Sequence, residues 1–219
     1  MTLVIAAHGV DYVVVGADSR STIKTGQYSQ GLDMAEKIIP FTKHVVILLF
    51  GAGENATYLA QKFQHKLKKE KSKLDGVTKV ADSFADFCRN EFKDTDIPLA
   101  SLPAWGFIVT GLDLEKGKYV HPRSYILRSN LHFAGGESGP ITIDGQPFIA
   151  GYKLQREARN VKNYNDLCCL VAQSVYDTRA FVGSVGGRIT IAIITAEKVR
   201  LYEGPEVKQM IDSWEDESR

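Results

Sequence analysis

The chain has 219 residues, a formal net charge of +1 at pH 7 and 44% hydrophobic residues. A chain of this length can bury a sizeable core, and we expect one domain over residues 1–219, because no linker-like, repeated or low-complexity segment divides it. The near-zero charge argues against broad electrostatic attraction to nucleic acid or to an anionic membrane as a primary function.

The apolar N-terminal run lacks a basic flank and is interrupted by His8 and Gly9, and no segment approaches the roughly 18 apolar residues of a membrane span. The cysteine count is odd, and two cysteines are adjacent in a helical pattern, which favours reduced core thiols (Cys88, Cys168, Cys169). We therefore expect a soluble, cytoplasmic protein. The histidines are scattered and no zinc spacing is present, so we expect neither a metal nor a cofactor.

Two apolar, β-branched runs open the chain at residues 3–8 and 11–17, with a tight turn between them. A hairpin centred on that turn pairs residues whose numbers sum to about 19 or 20. Thr2 is then predicted opposite Ala17 or Asp18, so that a carboxylate lies beside the start of the first strand.

The remaining elements follow in a regular order. They are a strand at 44–50, helices starting near Glu54 and after Gly76, strands at about 105–112 and 118–126, a helix at about 166–181, strands at 188–196 and 199–202, and a short closing helix. Strands, two helices, strands, one helix and strands predict an α+β fold, a four-layer αββα sandwich of two stacked antiparallel sheets between helix layers.

Thr2 carries a complete nucleophile and base if Met1 is removed. A threonine hydroxyl is a poor nucleophile unless a neighbouring group takes its proton, and a free α-amine with an ordinary pKa of about 7.7–8.0 suits that task. If Met1 stays, the nitrogen is a peptide amide and the base does not exist. We expect Thr2 to face solvent.

Lys37 follows a polar stretch and precedes the apolar strand at 44–50. A lysine that re-enters near Asp18 would supply a buried cation beside the Thr2 oxygen, and Asp18 would fix and neutralise that cation. The alternative for the same two residues is a structural ion pair at a sheet edge.

Four segments, taken in order and spacing, resemble the proteasome β-type subunits, which are N-terminal-nucleophile (Ntn) hydrolases. They are Thr2-Leu3-Val4-Ile5-Ala6, Gly16-Ala17-Asp18-Ser19-Arg20, Lys37-Ile38-Ile39 and Ala52-Gly53-Glu54-Asn55-Ala56. The resemblance implies that Thr2 attacks a peptide carbonyl, that Asp18 and Lys37 tune it, and that the backbone N–H of Gly53 donates to the oxyanion. It also implies a substrate pocket at Thr22, Gly51 and Asn55, although Asn55 could instead cap the following helix.

Two serines of the family pattern have no direct match in this chain. Gly136 stands at the first position, and Ser138 replaces it only if the loop shifts. Val185 stands at the second, and Ser184 replaces it only with an insertion. Ser138 and Ser184, together with Arg20, are therefore the candidate supporting residues.

The resemblance implies a threonine peptidase that forms an acyl-enzyme on Thr2, in a homo-oligomeric ring whose nucleophiles face a closed chamber. Its substrate would be a peptide or an unfolded protein, fed by an ATP-dependent unfoldase. Two alternatives stay open: a non-catalytic structural β-type subunit, and a threonine-dependent peptide ligase or transpeptidase.

Two further patterns compete with this interpretation. Residues 51–56 match the dinucleotide fingerprint G-x-G-x-x-A, but a lysine-rich helix follows them where that site needs a second parallel strand. The basic run at 62–73 could touch nucleic acid, although lysines near a helix C-terminus are typical of a solvated face.

Overall fold

The structure is a computed structural model that describes residues 2–25, 28–51, 53–70, 74–93 and 105–217. Its strands are β1 Val4–His8, β2 Val13–Asp18, β3 Ser21–Thr25, β4 Tyr28–Leu32, β5 Ile38–Pro40, β6 Val45–Phe50, β7 Gly106–Glu115, β8 Lys118–Arg128, β9 Gly136–Glu137, β10 Ile141–Asp144, β11 Ile189–Ile194 and β12 Val199–Glu203. Its α-helices are α1 Gly53–Glu70, α2 Val77–Glu91, α3 Pro147–Glu157, α4 Tyr164–Phe181 and α5 Pro205–Glu217.

Ten of these strands form two five-stranded sheets. The first sheet has the order β10-β1-β2-β11-β12, and the second has the order β5-β6-β7-β8-β9. The described pairings in both sheets are antiparallel. A dinucleotide site after β6 is therefore excluded, because it would require a parallel neighbour.

Three apolar layers hold the sheets and helices together. Residues of both sheets, including Val15, Leu48 and Ile108, form the layer between the sheets. A second layer, rich in aromatic side chains such as Phe63 and Phe84, packs α1 and α2 on the second sheet. A third joins α3, α4 and α5 to the first sheet. This is the four-layer αββα sandwich that the element order predicts.

The predicted helix at about 166–181 is present as α4, but α3 and β10 were not anticipated, so two helices lie before β11 instead of one. The reason lies in the weak apolar stripe of α3. Only Ala150 and Leu154 are buried in this helix, whereas Phe148 and Tyr152 are 90% and 68% exposed. A helix with so few buried residues has little amphipathic periodicity to detect.

The predicted register of the first hairpin is also wrong. Val4 pairs with Ala17 and His8 with Val13, so paired numbers sum to 21. Tyr12 belongs to the turn and not to β2, and its carbonyl accepts a hydrogen bond from the Gly9 N–H at 2.9 Å. This longer turn puts Thr2 level with Ser19 rather than with Ala17 or Asp18.

Within the described residues, no helix combines the length and the apolar character that crossing a membrane requires.

Candidate active site

The candidate site lies where one end of the first sheet meets one end of the second sheet. In the first sheet, β1 begins at this end, β2 ends at Asp18, and β11 begins next to it through the pairing of Ile189 with Asp18. In the second sheet, the Leu49 N–H donates to the Lys37 carbonyl at 2.9 Å, so β5 begins where β6 ends. Strand order alone therefore gathers the segments that carry the predicted residues.

Asp18 is the centre of the site, and its carboxylate accepts five hydrogen bonds. Oδ1 accepts from Leu3 N–H at 2.9 Å, from the Thr2 hydroxyl at 3.3 Å and from Lys37 Nζ at 2.5 Å. Oδ2 accepts from the N–H groups of Gly186 at 3.0 Å and Arg20 at 3.2 Å. A carboxylate with so many donors is held in one orientation.

Lys37 forms a buried ion pair with Asp18 across the two sheets. Their side chains are only 7% and 1% exposed, and Lys37 Nζ also donates to the Arg20 carbonyl at 2.7 Å. Burial lowers the pKa of Lys37 below its ordinary value, while the Asp18 carboxylate acts in the opposite direction. The pair is thus buried, as predicted. Thr2 and Lys37 both donate to the same carboxylate oxygen, Asp18 Oδ1.

Thr2 is 5% exposed, so the expectation that it faces solvent is wrong. It precedes the first paired residue of β1, and Leu3 holds it there by two hydrogen bonds to Asp18, since the Asp18 N–H also donates to the Leu3 carbonyl at 3.3 Å. Met1 lies outside the described residues.

Arg20 joins the site through its backbone, as described for Asp18 and Lys37. Its guanidinium points to a different partner, forming a two-pronged salt bridge with Asp33 at 2.7 and 2.9 Å. The same guanidinium donates to the Gly183 carbonyl at 2.9 Å. Hydrogen bonding to Arg20 lowers the pKa of Asp33. Arg20 thus connects the β2 end to the loop before β11.

The loop before β11 reaches the site through Gly186, and Gly187 makes the bend. Gly187 has a φ of +73°, and a Cβ there would lie 2.3 Å from Ser19 Oγ. Only glycine suits that position. In the same loop Val185 is fully buried in the apolar layer, and the buried Ser184 hydroxyl has no hydrogen-bond partner among the described residues.

The structure does not bring Ser138 to Thr2. Its hydroxyl donates to the Ser124 carbonyl at 3.1 Å and lies 2.6 Å from the Thr142 hydroxyl. Because Thr142 pairs with Ala6, these contacts keep Ser138 beside the middle of β1.

Gly53 is the first residue of α1 and lies three residues after Phe50, the end of β6. Gly51, the residue after Phe50, is exposed and has a φ of +82°. The first N–H groups of a helix have no acceptor inside that helix, so they are available to a ligand. Asn55 is exposed in the first turn, inside the helix rather than before it, which rules out the N-cap role. Thr22 lies in β3, and its side chain is outside the described part of the structure.

Three residues near Thr2 were missed by sequence reasoning: Arg128, Asp144 and Gly145. Gly145 packs on Thr2, and Arg128 forms an ion pair with Asp144. The sequence Asp144-Gly145 is a typical turn signal and could have drawn attention to these two residues. Arg128 stands at the end of a strand and carries no local signal.

The proteasome subunit family matches residues 2–136, a span that includes Thr2, Asp18, Lys37 and Gly53 and ends before Ser138 and Ser184. The fold is similar to a solved structure titled Anbu (Gly-1) mutant from Hyphomicrobium sp. strain MC1, with a TM-score of 0.73 and 18% identity over 100% of this chain and 95% of that chain. A comparison with curated proteins gives no match. The chain therefore belongs to the proteasome subunit family and has its Ntn-type fold.

Proposed function

We propose that the chain is an N-terminal threonine peptidase that cleaves peptide bonds through an acyl-enzyme on Thr2 after removal of Met1. The observation that supports it is the shared oxygen of Asp18, which accepts from both the Thr2 hydroxyl and the buried Lys37 ammonium. A surface ion pair would not need a threonine at this position. Here the Lys37 cation is held beside the hydroxyl of Thr2, the residue that would carry a free α-amine after removal of Met1.

In the first half of the reaction, Thr2 Oγ attacks the carbonyl carbon of the scissile bond while its proton passes to the α-amine of Thr2. The tetrahedral intermediate collapses, the C–N bond breaks, and the leaving amine takes that proton. An ester between Thr2 Oγ and the acyl part of the substrate remains. Lys37 favours negative charge on the hydroxyl oxygen, and Asp18 keeps Lys37 in place.

In the second half, water attacks the ester carbon while the α-amine takes the water's proton. The ester C–O bond then breaks, the α-amine passes that proton to Thr2 Oγ, and the carboxylic acid product leaves. Both intermediates place negative charge on the former carbonyl oxygen. The N–H at Gly53, at the start of α1, has no acceptor inside that helix and suits that charge, since donors fixed before the reaction stabilise it most.

The proposed pocket for the side chain before the cut bond is bordered by Gly51 and Asn55. Both are exposed, and Gly51 leaves room for a large side chain. The Asn55 amide offers one donor group and one acceptor, which an apolar side chain would leave unpaired at a cost of about 1–3 kcal/mol. We expect a preference for large polar or amphipathic residues such as Tyr, Gln or Lys; Thr22 is proposed as a further contact.

We also propose an assembly in which the peptidase works. A homo-oligomeric ring would enclose the nucleophiles in a chamber, and an ATP-dependent unfoldase would supply unfolded protein. Both are carried over from the family resemblance, and sedimentation of the purified chain tests the ring.

The non-catalytic alternative has two observations in its favour. Val185 is fully buried where the family pattern has a serine, and Ser138 is held beside the middle of β1. A subunit that lacks the groups supporting the nucleophile could keep the ion pair for stability alone.

Intact-mass measurement before and after treatment with an epoxyketone-type inhibitor tests the proposal. The peptidase should lose one methionine residue during production and then gain the mass of one inhibitor, while Thr2→Ala should gain nothing. A chain that has lost Met1 but resists the inhibitor under all conditions would support the non-catalytic subunit instead.

A further inference from the structure

Gly145, which directly follows β10, packs against the backbone of Thr2. A Cβ at Gly145 would lie 1.7 Å from the Thr2 carbonyl oxygen and 3.2 Å from its methyl carbon, and Gly145 has a φ of +95°. Both the space and the backbone conformation therefore require glycine. The position of Thr2 depends on where this glycine is held.

Asp144 holds Gly145 in place. Its Oδ1 accepts a hydrogen bond from the Gly145 N–H at 2.7 Å, and its Oδ2 accepts from the Arg128 guanidinium. The Asp144 side chain is 13% exposed, and burial raises its pKa while Arg128 acts in the opposite direction. A buried carboxylate is costly unless it is paired, and Arg128 offsets that cost.

Arg128 connects this side of the site to the second sheet. It is the last residue of β8, and its guanidinium carbon lies 5.4 Å from the centre of the Phe50 ring, at the end of β6. Phe50 directly precedes Gly51 and lies three residues before Gly53. The chain of contacts thus runs from Thr2 through Gly145, Asp144 and Arg128 to the segment that carries Gly53.

We propose that Arg128 and Asp144 are positioning residues that set the placement of Thr2 relative to Gly53 by clamping the first sheet to the second. This inference rests on the proposed function for its catalytic consequence. The inference depends on the contact of Asp144 with Gly145 and the contact of Arg128 with Phe50. Neither Arg128 nor Asp144 touches the reacting atoms.

The clamp mirrors the Lys37–Asp18 pair. In the first sheet β1 lies between β2, which ends in Asp18, and β10, which ends in Asp144. Each of the two aspartates pairs with a cation from the second sheet, so β1 is fixed on both sides. One pair tunes the Thr2 oxygen and the other holds the Thr2 backbone.

The test compares Arg128→Met and Asp144→Asn with a matched control, Arg123→Met. Arg123 lies on the same strand and pairs with Asp113 and Glu137 at 3.3 Å, five residues away from Arg128 and beside the middle of β7. Arg128→Lys serves as the conservative variant that should rescue the charge.

The first readout is the rate and the final extent of inhibitor modification at Thr2, together with kcat and KM for a fluorogenic peptide. Both clamp variants should lower the modification rate and kcat by about 10- to 100-fold, the effect of a small misplacement of reacting groups, with KM changed less than about twofold. Final modification should still reach completion, which separates misplacement from partial unfolding. Arg128→Lys should recover most of the rate.

The second readout is amide hydrogen exchange in peptides that cover residues 2–8 and 141–150, and it does not depend on activity. Exchange should be faster on the order of tenfold in Arg128→Met and unchanged in Arg123→Met. If the parent resists the inhibitor but exchange changes as expected, the peptidase proposal fails and the clamp stands. If Arg128→Met matches Arg123→Met in exchange, or in modification rate where the parent reacts, the clamp is wrong.

Discussion

Replacing Lys37 by alanine tests whether the ion pair beside Thr2, the proposed nucleophile, is buried as the structure describes. The change removes an ammonium that makes two hydrogen bonds, to Asp18 Oδ1 at 2.5 Å and to the Arg20 carbonyl at 2.7 Å. It leaves Asp18, whose side chain is 1% exposed, without its cation.

The magnitude follows from the loss of one partner of a buried pair, which costs about 3–5 kcal/mol. A domain of this size loses about 2–4 °C of thermal midpoint per kcal/mol, so Lys37→Ala should lower the midpoint by about 6–20 °C. The four remaining donors to Asp18 place the expectation in the lower half of that range. Peptidase activity should also be lost, because the cation beside Thr2 is gone.

Two variants complete the thermal denaturation assay. Asp18→Asn combined with Lys37→Ala should recover most of the stability but no activity, because the unpaired charge is removed and the nucleophile stays untuned. Lys62→Ala is the matched control, since Lys62 pairs with Glu91 at the surface with 44% of its side chain exposed. A surface pair contributes about 0–1 kcal/mol, so this control should barely move the midpoint. A midpoint for Lys37→Ala equal to that of Lys62→Ala would refute the buried pair.

Three further predictions concern other parts of the chain. Thr2→Ala should abolish cleavage of fluorogenic peptides and keep the fold, whereas Thr2→Ser should retain some activity; equal rates for Thr2→Ala and the parent would reject the nucleophile. Burial lowers the pKa of His8 to about 4, and its Nε2 lies 2.7 Å from Ser124 Oγ. Because the unfolded chain binds this proton below its ordinary pKa of about 6.5, stability should fall by about 3 kcal/mol between pH 6.5 and 4. Urea unfolding at several pH values should show that this loss is smaller in His8→Gln, and an identical loss in both proteins would contradict the assignment. Asn55→Ala should weaken the preference for polar residues before the cut bond in a peptide library, and an unchanged profile would remove Asn55 from the pocket.

The strands and long helices could be predicted because their patterns are local. β2 and β6 are buried along their whole length and appear in the sequence as β-branched apolar runs. α2 buries seven residues on one face, and α4 buries ten. Such elements can be predicted from the period of their apolar residues and from their composition. By contrast, α3 could not be predicted in this way, because its apolar side chains Phe148 and Tyr152 point to solvent.

Residues of the candidate site could be predicted where they lie on segments adjacent in the sequence or where the family resemblance covers them. Asp18 could be placed beside the chain start from one hairpin, although the register was wrong, because its side chain reaches back to Leu3. Arg128 and Gly145 could not be placed in this way. Their approach to Thr2 depends on β10 pairing with β1 across more than a hundred residues, and no local pattern specifies such a pairing.

The placement of Thr2 answers a physical difficulty that the proposed function creates. A residue at a chain terminus frays unless it is tied down, yet a nucleophile needs a fixed position. β1 solves this as an interior strand with neighbours on both sides, and Leu3 adds two hydrogen bonds to Asp18. Among the described residues, these contacts reach the backbone and hydroxyl of Thr2, and none of them uses its nitrogen. Removal of Met1 could therefore free the α-amine while the hydroxyl stays in place.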